Sequence, residues 1–248
     1  MENNFFRFEF KYPIPRYLIR NFEYDLIRFG FSRDTFNIGE KYYVSSVYFE
    51  TPGAADYFDK SGGFLDRKKI RARIYRDALT ADEPDKPSIW LEIKKKHDMM
   101  ISKNRVCVTP REWENFLSSN QRGYRKISER LNAEDEKILT EFVFWTTYER
   151  RKPYVLIQYK RRAFHSFTGG ERVRVTIDYD IRAQKGDKFL TNPSTDVSQH
   201  GAVIEVKFRE KLPWQIKFLL SKYKLSRDSY SKYSKGVEAM RKFYPIYR

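Results

Sequence analysis

The sequence predicts an α+β protein in which eight antiparallel strands close a small barrel, with helices packed outside it and at the C-terminus. Three observations lead there. Alternation of period two recurs in eight segments of the 248-residue chain, and eight antiparallel strands are the number that closes a barrel with room for one ligand. In nearly all of these segments one face is strongly charged and the other strongly apolar. Aromatic residues make up 17% and charged residues 33% of the chain, so it folds despite its charge, and no low-complexity linker divides it. One domain over residues 1–248 is the expectation, ample in length for a core.

The elements follow in order. Phe5–Tyr12 alternates aromatic and charged residues, as a strand does. Pro13–Phe31 reads as an amphipathic helix with Tyr17, Ile19, Phe22, Leu26 and Phe29 on its apolar side. Lys41–Glu50 is the second strand, punctuated by Thr51-Pro52-Gly53, and Ala54–Lys60 is a short helix stopped by Gly62-Gly63. Arg67–Asp77, Ser88–Lys96 and Ile101–Val108 are three further strands. Thr109 caps a helix with Pro110 at its first position, running to Leu117. Asn132–Glu149 is a helix with Ile138, Leu139, Phe142 and Trp145 on one side. Strands at Pro153–Phe164, Glu171–Asp180 and Gly201–Arg209 complete the eight, and helices at Pro213–Tyr223 and Ser231–Phe243 close the chain.

The alternation sorts the charges. Arg7, Glu9 and Lys11 share a face against Phe6, Phe8 and Phe10; Lys69, Arg71 and Arg73 oppose Ile70, Ala72 and Ile74. Glu92 and Lys94 oppose Leu91 and Ile93, and Lys103 sits beside Arg105. Arg161 shares a face with Tyr159. Arg172, Arg174, Thr176 and Asp178 oppose Val173, Val175 and Ile177; Glu205 and Lys207 oppose Ile204, Val206 and Phe208. An ordinary antiparallel sheet with its charged face in water would show the same period. The repeated stacking of lysine and arginine argues instead for charge turned inward. Like charges side by side on a sheet destabilise it without a counterion, and a phosphate chain supplies one that suits the arginine fork. Glu9, Glu92 and Glu205 admit two readings, a seat for a divalent cation or salt bridges within the face.

Composition narrows the partner. Lys and Arg number 49 against 33 Asp and Glu, a formal charge of +16, which calls for an acidic ligand. Nucleic acid is disfavoured, because the aromatics alternate on the faces opposite the charges, where they cannot join base stacking to phosphate contact. Cys107 is the only cysteine, which excludes an internal disulfide framework and a cysteine zinc site. No apolar stretch approaches the roughly 20 residues of a membrane span, and the N-terminal residues lack the order of a signal peptide. A cytoplasmic location is expected, with electrostatic contact to a membrane surface or membrane-protein partner left open.

An ordered series of motifs resembles a known family. It comprises Arg7-Phe-Glu-Phe-Lys11-Tyr, Tyr48-Phe-Glu-Thr-Pro52, Lys69-Ile-Arg71-Ala-Arg73 and Leu91-Glu-Ile-Lys94. Gln158-Tyr-Lys-Arg161-Arg-Ala-Phe164, Val173-Arg174-Val-Thr-Ile-Asp178, Ile204-Glu205-Val-Lys207 and Ser231-Lys232-Tyr-Ser-Lys235-Gly236 follow. The series, spanning residues 5–242, resembles the VTC (vacuolar transporter chaperone) domain, the polyphosphate polymerase branch of the triphosphate tunnel metalloenzymes. The resemblance implies an eight-stranded tunnel open at both ends, in which inorganic polyphosphate is made from ATP with Mn2+ or Mg2+. It implies that Lys11, Arg71, Arg73, Lys94, Arg161, Arg174, Lys232 and Lys235 are catalytic cations on the phosphates, with Lys103 and Lys207 as further phosphate ligands. Glu205 would be the principal metal ligand, and Glu9 a second. The phosphate-sensing domain and membrane anchor of eukaryotic polymerase complexes have no counterpart in this sequence, so transport and its control are not carried over. A metal-dependent triphosphatase and a non-catalytic polyphosphate-binding module share the fold and stand as alternatives.

Overall fold

A computed structural model describes residues 8–34, 41–76, 85, 86, 88–98, 100–186, 188, 189, 193–198 and 201–243. Arg7, Phe6 and Asp77, assigned to strands from the sequence, lie outside the described residues. Eight long strands form one antiparallel sheet: β1 (Phe8–Pro15), β3 (Tyr42–Glu50), β4 (Asp66–Arg76), β5 (Ile89–His97), β6 (Met100–Val108), β7 (Lys152–Thr168), β8 (Glu171–Lys185) and β10 (Gly201–Phe208). Their order is β1-β10-β8-β7-β3-β4-β5-β6; short strands β2 (Ser32–Arg33) and β9 (Thr195–Asp196) pair with β7 and β8. No ladder joins β1 to β6 among the described residues. The sheet curls until its edges meet through side chains instead, so that Glu9 on β1 lies 3.1 Å from Lys94 on β5. The segment after residue 225 lies along the free edge of β1, where Asp228 N–H donates to the Lys11 carbonyl at 2.9 Å, covering an otherwise open row of backbone groups.

The apolar faces point outward and are covered by helices. α1 (Ile19–Arg28) and α6 (Trp214–Lys222) pack on β1, β8 and β10, burying Phe22, Leu26, Ile216 and Leu219 against Val175, Ile177 and Ile204. α3 (Pro110–Ser118), α4 (Asn120–Ser128) and α5 (Ala133–Tyr148) cover the outer faces of β3 to β6, with Trp113, Phe116, Leu139 and Phe142 against Phe49, Ile70, Ile74 and Leu91. The starts of α3 and α5 follow from capping. Thr109 Oγ1 accepts from Glu112 N–H while the Glu112 carboxylate accepts from Thr109 N–H, and Pro110 fills the first helical position. Asn132 Oδ1 accepts from the N–H groups of Glu134 and Asp135.

Three sequence expectations are corrected. Pro13 and Pro15 do not start a helix: β1 continues to Pro15, paired with Gly201, and a 3-10 turn at Arg16–Leu18 precedes α1. β1 is an edge strand, the one place in a sheet that accommodates proline's missing N–H. α4 (Asn120–Ser128) has no counterpart among the elements expected from the sequence, which left the stretch between Leu117 and Asn132 unassigned. A Cβ at Gly123 would lie 2.5 Å from Phe116 Cα, so that glycine permits the close α3–α4 packing that stabilises the helix. β7 and β8 are longer than their alternation suggested, running to Thr168 and Lys185.

One helix lies inside the curl. α7 (Lys232–Phe243) seats Tyr233, Val237 and Met240 on Val155, Ile157, Ile181, Ala183 and Val203. These sheet residues belong to the same inward face as Arg161 and Glu205. A β-bulge explains how β8 presents Ile181 and Ala183 there. Gln158 pairs with Arg182, but Lys160 pairs with Tyr179, so β8 carries one extra residue, and Asp180 stands at a φ of 49°. The bulge flips the parity, so the inward residues are Asp178, then Ile181. Gly236 makes the close approach possible: a Cβ there would lie 2.2 Å from Ile157 Cδ1.

Candidate functional site

Above α7 the curl encloses a cavity of about 1320 Å³. Seventeen lysines and arginines line it against four carboxylates, Glu9, Asp34, Glu205 and Asp228. The excess leaves the cavity strongly cationic even after internal pairing.

The pairing is extensive. Glu92 is fully buried behind the lining, and its Oε2 accepts from Arg71 Nε and Nη2, each at 2.7 Å, while Lys103 reaches Oε1. Burial alone would raise the Glu92 pKa, but Arg71, Arg73 and Lys103 outweigh it and hold the carboxyl well below the usual range. Arg71 also donates to Tyr48 Oη at 2.9 Å, and Arg73 to Ser46 Oγ at 2.8 Å. Across the cavity, Arg161 makes a two-pronged pair with Asp178 at 2.6 and 2.8 Å, and Lys232 from α7 reaches the same carboxylate at 2.6 Å. Arg174 pairs with Asp34 at 2.9 Å and lies 3.4 Å from Tyr42 Oη. Lys69 donates to Ser231 Oγ at 2.9 Å and lies over the Tyr233 ring.

A third cluster joins the two edges of the sheet. Glu9 faces Lys94 at 3.1 Å, Lys11 at 3.5 Å and Lys207 at 3.9 Å, and Lys207 pairs with Glu205 at 2.6 Å. Burial and the neighbouring Glu205 push the Glu9 pKa up; Lys94, Lys207 and Lys11 pull it below its ordinary value. Burial likewise raises Glu205, and Lys207, Lys11 and Lys232 bring it well down. The lysines bear the cost of confinement. Burial lowers Lys94 and Lys103 to about 8 and Lys69 to about 7, despite nearby carboxylates and a tyrosine. Tyr48 and Tyr75 would be raised by burial but are drawn down to about 7, Tyr48 chiefly by Arg71 and Arg73, Tyr75 chiefly by Arg73.

Eleven of the twelve residues singled out in the sequence line this cavity: Lys11, Arg71, Arg73, Lys94, Lys103, Arg161, Arg174, Lys207, Lys232, Glu9 and Glu205. Lys235 does not. Its side chain is half exposed and lies 3.8 Å from Glu238 on the outer side of α7. Three positions separate it from Lys232, which leaves the two side chains about 60° apart around the helix, enough to turn one out of the cavity.

The matching family is decided by coverage. The VTC domain profile matches residues 6–241, nearly the full chain and every long strand. The chain belongs to the VTC domain family. No curated protein sequence matches it. Among solved structures, this VTC domain is similar to a chain described as an adenylyl cyclase, HpAC1 of Hippeastrum, with a dominant triphosphatase activity. That pair is 11% identical, covering 94% of this chain and 95% of the other, with a TM-score of 0.44. A second similar chain comes from the Mediator head module of Schizosaccharomyces pombe, 9% identical over 96% of both chains, with a TM-score of 0.40. Similarities this low say nothing of function.

The VTC domain's buried carboxylates also bear on a metal. No cluster of three or more histidine, cysteine or acidic ligands exists among the described residues, so no all-protein metal cage is present. Glu9 and Glu205, near enough for one to raise the other's pKa, are a donor pair of the kind that holds Mg2+ when substrate phosphates complete the shell. The donor chemistry fits a metal that arrives with a phosphate ligand.

Of the residues that strand parity put on the charged faces without a phosphate or metal role, Lys69 lines the cavity, and Glu92 and Asp178 stand behind the lining as partners of Arg71 and Arg161, the salt-bridge reading of Glu92. Tyr75 and Asp34 line the cavity with no signal in the sequence.

Proposed function

We propose that this protein is a polyphosphate polymerase, transferring the terminal phosphoryl group of ATP to a growing inorganic polyphosphate chain within the cationic cavity. The observation that carries the reading is the excess of seventeen basic residues over four carboxylates around an enclosed space of about 1320 Å³, in a VTC domain. Phosphoryl transfer needs little acid–base chemistry, so positioning and electrostatics do most of the work. Arg71, Arg73, Lys94, Arg161 and Arg174 would hold the phosphates, and Lys232 would add its charge from α7. Glu9 and Glu205 would hold Mn2+ or Mg2+, which when bound spreads the charge of the transferring group. A terminal oxygen of the chain attacks the γ-phosphorus in line, the bond to the β-phosphate oxygen breaks, ADP leaves, and the chain is one phosphate longer. A free cysteine suits a reducing setting, and we place the reaction in the cytoplasm.

The test is incubation of the purified protein with ATP and Mn2+. A ladder of long anionic chains on a gel, with ADP released, is the expected result. Free phosphate without a ladder would make the protein a triphosphatase, and no turnover would make it a binding module. Glu205→Gln should abolish turnover while tripolyphosphate still raises the melting temperature.

A further inference from the structure

Tyr48-Phe-Glu-Thr-Pro52 supplies no residue to the phosphate and metal set, yet Glu50 within it is a buried acid at the end of β3, 2% exposed. Glu50 is not among the residues that line the cavity. A buried carboxylate is costly unless its oxygens are hydrogen-bonded, and both of these are. Its Oε1 accepts from the N–H of Thr51 at 2.8 Å and from that of Asp56 at 3.2 Å. Asp56 lies in the first turn of the short helix α2 (Ala55–Ser61), whose N-cap, Ala54, has no side chain able to accept, so Glu50 supplies the acceptor. Its Oε2 accepts from the hydroxyl of Tyr233. Arg151, 4.0 Å away, provides the countercharge while donating to Asp56 at 2.7 and 2.8 Å.

Tyr233 carries this anchor to the cavity wall. Of the three α7 residues seated on the sheet, it alone lies in the first turn; Val237 and Met240 follow one and two turns later. Its ring lies 5.0 Å from that of Tyr48, and the Lys69 ammonium sits 4.9 Å from its centre. The two residues before it complete the contact with the cavity charges. Ser231 Oγ accepts from Lys69 at 2.9 Å, and Lys232 reaches Asp178 at 2.6 Å. Apolar packing of Val237 and Met240 holds the helix on the sheet but is non-directional. A hydrogen bond to a fixed carboxylate is directional, and it sets the rotation of the turn that presents residues 231–233.

We propose that Glu50 is a positioning residue for phosphate binding: through the Tyr233 hydroxyl it holds the first turn of α7 where Lys232 and Lys69 meet a phosphate chain. This rests on the reading that the cavity binds polyphosphate. Glu50 touches no ligand, and its effect passes through Tyr233. The contrasting role is a staple between β3 and α2, whose removal would change stability and nothing else.

The test is calorimetric binding of tripolyphosphate and of a long linear polyphosphate in EDTA, at a temperature where circular dichroism shows each variant folded. Tyr233→Phe removes the hydroxyl and keeps the ring. It is expected to weaken the long chain about fivefold, the worth of one hydrogen bond, and Glu50→Ala to weaken it at least as much. The double variant should lose little more than Glu50→Ala, because both changes cut one connection. In a background where Lys69 and Lys232 are both replaced by alanine, either change should matter less than about twofold. Glu50→Gln should retain most of the affinity, since its carbonyl can serve Thr51 and Asp56 while its amide donates to the Tyr233 oxygen. Folded Glu50→Ala and Tyr233→Phe proteins that bind like the parent overturn the proposal and leave Glu50 a staple for α2. Losses that persist undiminished without Lys69 and Lys232 overturn it as well. Should Glu50→Ala not fold, Tyr233→Phe carries the comparison, because Glu50 then keeps its bonds to Thr51 and Asp56. A parent protein that binds neither ligand overturns the underlying polyphosphate reading, whereas a parent that binds both confines any failure to Glu50.

Discussion

The inward face of the sheet has two regions built on opposite principles. Around the cavity it buries Arg71, Arg73, Glu92, Arg161, Asp178 and Glu205; under α7 it buries Val155, Ile157, Ile181, Ala183 and Val203. One region is held by ion pairs and the other by packing. Buried charges are costly to desolvate, and pairing them only returns that cost when each partner is satisfied. Apolar packing carries no such liability. The charged region is thus a poor way to gain stability and a good way to keep cations in place for an anion. The apolar region holds α7, and with it Lys232, against the cavity. The bulge at Asp180 is the boundary, since one extra residue converts the β8 pattern from Asp178 to Ile181.

The sharpest way to break this contrast is to remove one partner from each region and then add ligand. Glu92→Gln leaves Arg71 and Lys103 buried without their carboxylate and should cost about 3–5 kcal/mol. Long polyphosphate should restore much of the lost melting temperature, because its charge replaces the missing one. Ile181→Ala should cost a comparable 2–5 kcal/mol, yet polyphosphate should raise its melting temperature by no more than it raises the parent's. Equal rescue of both variants would mean that the regions are not energetically distinct.

Gly236 gives a smaller and more local effect. Gly236→Ala improves helix propensity by about 1 kcal/mol but drives a methyl into Ile157, so a net loss of about 1–2 kcal/mol is expected. Ile157→Val removes the opposing Cδ1 and should recover most of that loss in the double variant. Additive losses, measured by denaturant titration, would show that α7 does not seat on β7 at this point.

Protons offer a further probe of the charged region. Lys94 and Lys103 titrate at about 8, Lys69 at about 7, and Tyr48 and Tyr75 at about 7. As pH rises through 7 and 8 these lysines lose positive charge and the tyrosines gain negative charge, and both changes oppose an anion. Binding of long polyphosphate, whose internal phosphates do not titrate in this range, should therefore take up protons at pH 8.5 and weaken as pH rises from 7 to 9. Calorimetry in buffers of different ionisation enthalpy reads the uptake directly, and proton release would contradict the assignment. Smallest of all is Lys235→Ala, expected to change stability and polyphosphate affinity little, whereas Lys232→Ala should weaken binding severalfold. Similar losses from both would return Lys235 to the cavity.

Period-two alternation alone was enough to sort lysines, arginines and glutamates onto one face of strand after strand, because in an antiparallel sheet side-chain direction is set by position along the strand. That is why ten of the twelve chosen residues share the strands' charged faces, although the resemblance to the VTC domain, not the alternation, singled them out and alone supplied Lys232 on α7. The capped start of α3 was readable from Thr109 and Pro110. Parity says which residues share a face. It does not say whether that face is inside, which carboxylate meets which cation, or where parity breaks. Glu9 meets Lys94 only because the sheet curls until its edges approach. Asp178 gathers Arg161 and Lys232 from elements far apart in the chain. The placement of Lys235 outside the cavity depends on the rotation of α7, which Gly236 and the bulge at Asp180 set through contact with β7 and β8. Local pattern is a property of neighbouring residues, whereas curl, bulge and helix rotation are settled by packing among distant ones, and only the tertiary structure decided them.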